Sequence, residues 1–134
     1  MNYNLLRERA NVIVDGATEE TIVQRERELG VTFPDDYKEL LRFSDGCMVV
    51  APLFVVFFSV GEGFHEKETL KFVNSLMSNS EMYFIGRFAG EMFGYLKGSD
   101  DHRIYSYFEE TGEKILVAEN VDELVQKYVL TPTV

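Results

Sequence analysis

The sequence predicts one α+β domain: an antiparallel sheet of about five to six strands packed with N-terminal and C-terminal helices. Three observations predict it. Two capped, apolar-striped segments fill the stretch from Thr18 to Gly46. Short β-branched and aromatic runs, divided by turn residues, follow from Cys47 to Ala118. Helical spacing then returns from Val121 to Leu130. The 134 residues suit a single domain spanning 1–134, with no repeat and no Pro/Gly/Ser-rich linker to divide it.

Each element has a local cause. Asn2 can cap a short helix ending at Arg9, and the β-branched run Val12-Ile13-Val14 stops at Asp15-Gly16. Thr18 is an N-cap candidate, followed by Glu19 and Glu20 where the helix dipole favours anions. Ile22, Val23, Glu26 and Leu29 fall near one face, and Gly30 suits the position just past the helix end. Pro34 suits the start of the next helix, with Asp35 and Asp36 in its first turn and Phe33 placed to pack back as a staple. Tyr37, Leu40, Leu41 and Ser44 follow helical spacing, and Ser44-Asp45-Gly46 breaks the helix.

From Cys47 the pattern is strand. Met48-Val49-Val50 and Leu53–Val60 are separated by Ala51-Pro52, and the apolar run Leu53–Phe58 predicts a strand covered on both faces. His65–Met77 reads as a helix. Met82–Ile85, Glu91–Leu96, Arg103–Phe108 and Lys114–Ala118 read as strands, the last two joined by the turn Glu110-Thr111-Gly112-Glu113. Asn120 is an N-cap candidate for the closing helix.

Charge narrows the function classes. With 23 Asp and Glu against 13 Lys and Arg, the chain carries a formal charge of −10 and a pI near 4.6. That balance argues against nucleic acid and against an anionic membrane surface, and it favours a basic partner. A lone cysteine, Cys47, cannot form an internal disulfide, and the N-terminus has no basic-then-apolar signal; both point to the cytoplasm. Val49–Val60 is too short and too interrupted to span a bilayer.

Chemistry-bearing patterns are sparse. His65 and His102 stand in polar contexts without metal-ligand spacing, so no metal and no cofactor is expected. Cys47 precedes an apolar strand and reads as a small buried hydrophobe. Gly61-Glu62-Gly63 and the Gly86–Gly90 stretch lack a phosphate-loop pattern, and Glu91 with Glu109 has no spacing that argues for glycoside hydrolysis. Acidic residues are the positive feature. Between Gly98 and Glu123, eight of them stand against two cations. Glu62, Asp100, Asp101, Glu109, Glu110 and Glu113 are therefore the candidate partner-binding residues.

The spaced set Ile22, Glu26, Leu29-Gly30, Phe33-Pro34, Tyr37, Leu40-Leu41 and Ser44-Asp45-Gly46 resembles the signature of the SUKH superfamily. The later order resembles it too, through Phe84-Ile85-Gly86, Phe93-Gly94-Tyr95, Ile104-Tyr105 and a terminal helix, so that the likeness spans about residues 18–130. The superfamily includes fungal cell-wall synthesis regulators and bacterial toxin-immunity proteins. The resemblance implies structural roles for Glu26, Gly30, Pro34, Tyr37 and Gly46, with Glu26 expected to make a helix–helix or backbone hydrogen bond. It implies binding without catalysis: an immunity-type protein that masks a basic nuclease or deaminase toxin, acting as a monomer or homodimer. A regulatory or scaffold domain of the same fold is the second expectation. A small ligand-binding protein or enzyme using Cys47 or a histidine is the third.

Overall fold

The computed structural model describes residues 1–77 and 81–130; of the expected span 1–134, residues 78–80 and 131–134 lie outside the described ones. The fold is α+β, built on a seven-stranded antiparallel sheet in which each strand pairs with the next in sequence. The strands are β1 (Val12–Ile13), β2 (Cys47–Val49), β3 (Val55–Phe57), β4 (Met82–Phe88), β5 (Glu91–Leu96), β6 (Ile104–Phe108) and β7 (Glu113–Ala118). The helices are α1 (Tyr3–Arg9), α2 (Glu19–Leu29), α3 (Asp35–Phe43), α4 (Leu70–Leu76) and α5 (Val121–Val125), the last continuing as a π-helical turn over Gln126–Leu130.

The strand beyond the expected six is β1. Its two residues, from the β-branched run Val12-Ile13-Val14, pair with Met48 and Cys47, and a run this short becomes a strand only through that pairing. Asn11 clamps the junction: its N–H donates to the Met48 carbonyl at 2.8 Å, and its side chain accepts from the Val50 N–H at 2.8 Å. Two other segments are shorter than expected. Regular pairing in β3 stops at Phe57, although every residue from Val55 to Val60 is buried. The helix expected over His65–Met77 begins only at Leu70. Residues 65–68 instead form a turn closed by the Glu68 N–H on the His65 carbonyl; Ser59 bridges to Thr69, its backbone bonds to Glu68 and Leu70 hold Thr69 extended, and Thr69 caps the helix through the Phe72 N–H.

Local capping fixes the first helix pair. Thr18 Oγ1 accepts from the Thr21 N–H at 3.2 Å, and Gly30 ends α2 in the left-handed region at φ 70°. The inward face of α2 differs from the expected stripe. Ile22 and Arg25 are buried, while Val23 is 45% exposed. Arg25 is accommodated because its Nε donates to the Val60 carbonyl at 3.0 Å and its guanidinium pairs with Glu28.

An aromatic row joins the helices to the sheet. Phe33 meets Tyr37 and Tyr83 at centroid distances of 5.2 and 5.9 Å, and Tyr95 meets Tyr83 and Tyr37 at 5.5 and 5.9 Å. Each such pair adds about 1 kcal/mol beyond the area it buries. At the other end of the sheet Phe88 contacts Phe93 and Tyr128, which pins the C-terminal turn. Register then fixes what shows on the opposite side of β5–β7: Met92, Tyr107 and Lys114 form one row, and Gly94, Tyr105 and Leu116 the next.

Candidate partner-binding site

The six acidic candidates fall in three places. Asp100 and Asp101 lie in the β5–β6 connection, where they line a cavity of about 560 Å³ with His102, Glu26, Phe33 and Tyr83. Glu109, Glu110 and Glu113 surround the β6–β7 turn at the far end of β6, some 14 Å away along a strand rising about 3.4 Å per residue. Glu62 is exposed in the β3–α4 loop, in a cavity of about 380 Å³ beside Asp45, Thr18 and Thr21.

Their electrostatic states differ more than their positions. The Asp101 carboxylate accepts from the Arg103 guanidinium at 2.9 Å, from the Arg103 N–H at 2.9 Å and from the Tyr105 hydroxyl at 3.2 Å. The Arg103 hydrogen bond holds its carboxyl below the usual range. This acid is already satisfied within the chain. The hairpin acids are not. Gly112, at φ 73°, lets the chain reverse, and its N–H closes the turn on the Phe108 carbonyl at 2.7 Å. Glu109, Glu110 and Glu113 then line a cavity of about 470 Å³ with Glu91. Met77, Met92, Tyr107 and Phe108 also line it, and among the described residues neither Lys nor Arg does; Lys114, in the row of Met92 and Tyr107, pairs with Glu81. Among the described residues none of these four carboxylates forms an ion pair; Glu91 accepts only from the Ser106 hydroxyl, at 3.2 Å.

A second cavity of about 390 Å³ shares Glu91 and Phe108 with the first. Leu53, Phe54, Phe88, Ile115, Val117 and Tyr128 make most of its wall, so an acidic hollow adjoins an apolar one at the same end of the sheet. Charge with no internal partner beside apolar surface can attract a cationic protein and then hold it. Glu91 and Met77 were not legible as members, because strand register and α4 bring them there.

The motif residues serve the scaffold. Glu26 accepts from the Phe33 N–H at 2.7 Å and stands 3.8 Å from the Lys38 ammonium, so it ties the α2–α3 connection. Pro34 caps α3, and Tyr37 is wholly buried. Gly46 has φ 87°, and a Cβ there would lie 2.9 Å from the Phe57 carbonyl oxygen. Its neighbour Asp45, readable in sequence only as a turn residue, carries a further role. Its carboxylate accepts from the Val60 N–H at 2.7 Å and the Gly61 N–H at 3.1 Å, and burial pushes its carboxyl up.

The nucleophile and metal candidates do not converge. Cys47 is 1% exposed and burial pushes its thiol up to about 12, which leaves no thiolate at neutral pH. His65 Nδ1 accepts from the Lys67 N–H at 3.0 Å, and His102 is exposed in the Asp100 cavity. Among the described residues no group of three or more His, Cys, Asp or Glu side chains could hold a metal ion.

The capped helix pair leading into an antiparallel meander agrees with the fold that the resemblance of the motif residues implies. The chain belongs to the SMI1 / KNR4 family (SUKH-1), whose sequence model matches residues 16–127. The matched region runs from just before α2 into the π-helical turn and leaves α1 and β1 outside. No curated protein matches the chain. Among the described residues no helix is long and apolar enough to cross a membrane.

Proposed function

We propose that this chain is an immunity-type protein that binds and neutralises a cognate cationic toxin, a nuclease or deaminase, in the cytoplasm of the producing cell and without chemistry of its own. Membership of the SMI1 / KNR4 family supports a binding role. The observation that carries the cationic partner is the hairpin hollow, where Glu91, Glu109, Glu110 and Glu113 stand beside apolar side chains and none of the four forms an ion pair among the described residues. A toxin that grips nucleic acid presents a basic groove, and an acidic surface can occupy that groove in place of phosphates. The charge raises the association rate, while Met77, Met92, Tyr107 and Phe108 give the contact shape and apolar area.

The test uses the product of the gene beside this chain's own, expressed in a host in which its toxicity is first measured alone. Co-expression should rescue growth, and association should slow steeply with added salt. The triple charge reversal E109K/E110K/E113K should slow association by about tenfold or more at low salt, with an unchanged melting temperature. Equal association of wild type and variant overturns the reading. Binding without growth rescue points instead to a regulatory domain of the same fold.

A further inference from the structure

The two edges of the sheet are unequal. β1 is two residues long and clamped by Asn11. β7 is six residues long, without proline, and among the described residues β6 is the one strand that pairs with it. Among the described residues, no backbone hydrogen bond ties its outer side from Lys114 to Ala118 to any other part of the chain, and the one side-chain tie is the ion pair of Lys114 with Glu81. Its central side chains are apolar and open on both faces: Ile115 is 44% and Leu116 45% exposed. Proteins ordinarily shorten, charge or cover such an edge, because its free N–H and C=O groups are a template for another strand. Here the regular part runs from Glu113 to Leu116 and ends at a bulge, where Tyr105 faces Leu116 but Ile104 faces Ala118.

Two further features surround this edge. Ile115 and Val117 form part of the apolar hollow that also contains Leu53, Phe54, Phe88 and Tyr128. The end of β7 that begins at Glu113 adjoins the unneutralised Glu109 and Glu110. We infer that β7 is a docking edge: an extended, cationic segment of the partner protein pairs with it as an eighth strand, setting apolar side chains into the hollow beside Ile115 and Val117 and its Lys or Arg residues beside Glu109, Glu110 and Glu113. Main-chain bonds supply affinity in this mode, and pockets for alternate side chains supply selectivity. The inference deepens the cationic-partner reading and rests on it.

Charge selects this occupant over a second copy of the chain. Antiparallel two-fold pairing of β7 with itself centres on Ile115 or Leu116, which puts Glu113 opposite Val117 or Glu119 of the second copy. Either register carries Glu109, Glu110 and Glu113 toward Glu119, Asp122 and Glu123 of a molecule with the same charge of −10. Like charges opposed across a strand pair are destabilising, whereas Lys or Arg there is attracted.

The probe is a short synthetic peptide alternating Val and Thr and ending in a pair of Arg, added to the full chain. Hydrogen exchange followed residue by residue should show slowed exchange confined to amides of 113–118. A twin peptide with alternate amides N-methylated should bind at least about tenfold more weakly, because it keeps the side chains and loses the main-chain donors. If the twin binds equally well while E109K/E110K/E113K still weakens both, strand addition is overturned and the cationic reading survives. If β7 is protected but a peptide ending in Glu binds as well as the Arg peptide, the cationic partner is overturned. Protection of β7 that rises with protein concentration in the absence of peptide assigns the edge to self-pairing and overturns the inference. No protection at millimolar peptide overturns it as well.

Discussion

The β6–β7 hairpin and the junction around Asp45 are both acidic, and the chain uses the charge in opposite ways. Asp45 is 8% exposed, and its carboxylate accepts two backbone N–H groups that would otherwise be buried without partners. Glu109, Glu110 and Glu113 are exposed, accept no hydrogen bond and pair with no cation among the described residues. The first carboxylate is committed to the fold, and the second set has no ion-pair partner among the described residues. Acidic residues alone therefore do not mark an interface. On the proposed reading, what marks one is an acid that the chain itself has left without an ion pair, next to apolar surface that can hold what the charge attracts.

The largest effect that could break this comparison is expected at the buried acid. Asp45→Ala should cost about 3 kcal/mol in urea unfolding, since the Val60 and Gly61 N–H groups lose their acceptor. The surface triple E109K/E110K/E113K should stay within about 0.5 kcal/mol of wild type. If Asp45→Ala unfolds at the wild-type urea concentration, the carboxylate has no structural role and the distinction fails.

Glu26 comes next, because it occupies an intermediate position: it has a backbone partner and also lines the Asp100 cavity. Removing its acceptor by Glu26→Ala should cost about 1.5 kcal/mol, whereas Glu26→Gln, which keeps an oxygen for the Phe33 N–H, should cost about 0.5 kcal/mol. Urea titrations of both variants, run beside a binding assay with the neighbouring gene's product, decide the matter. Unchanged stability with lost binding in Glu26→Gln would move this residue from the scaffold to the interface.

How far the sequence could be read follows from the range of the forces involved. Thr18, Gly30 and Asn120 were legible because a cap forms within three or four residues of itself. The hairpin acids were legible as neighbours because one tight turn holds Glu109, Glu110 and Glu113 together. β1 was not legible, since two β-branched residues become a strand only when β2 is beside them. Nor was the late start of α4, which depends on Ser59 bonding across ten residues to Glu68 and Leu70. Asp45 read as a turn residue and Arg25 carried no signal, because their partners, the Val60 and Gly61 amides and the Val60 carbonyl, lie fifteen or more residues away. The six acidic candidates could not be told apart in the sequence for the same reason: whether Asp101 is neutralised depends on where Arg103 and Tyr105 place their donors.

The smallest effect sharpens the comparison through its sign with pH. Asp101 is held below its usual range by Arg103, so its pairing stabilises the fold above the ordinary Asp value of about 3.9 and loses that contribution as pH falls through the lower folded value. Burial raises Asp45, so its folded form takes up a proton before the unfolded chain does; its contribution grows as pH falls from the raised value toward the ordinary one. Asp101→Asn should therefore cost no more than about 0.5 kcal/mol at neutral pH, as a solvent-facing pair does, with the difference from wild type shrinking in acid. Asp45→Asn should show the reverse trend, wild type gaining on the variant as pH is lowered through the window between the two values. Urea unfolding of the three proteins across that range reads both slopes at once. Parallel slopes would mean that the two carboxylates feel the same surroundings, and a division between acids committed to the fold and acids left for a partner would then have no electrostatic basis.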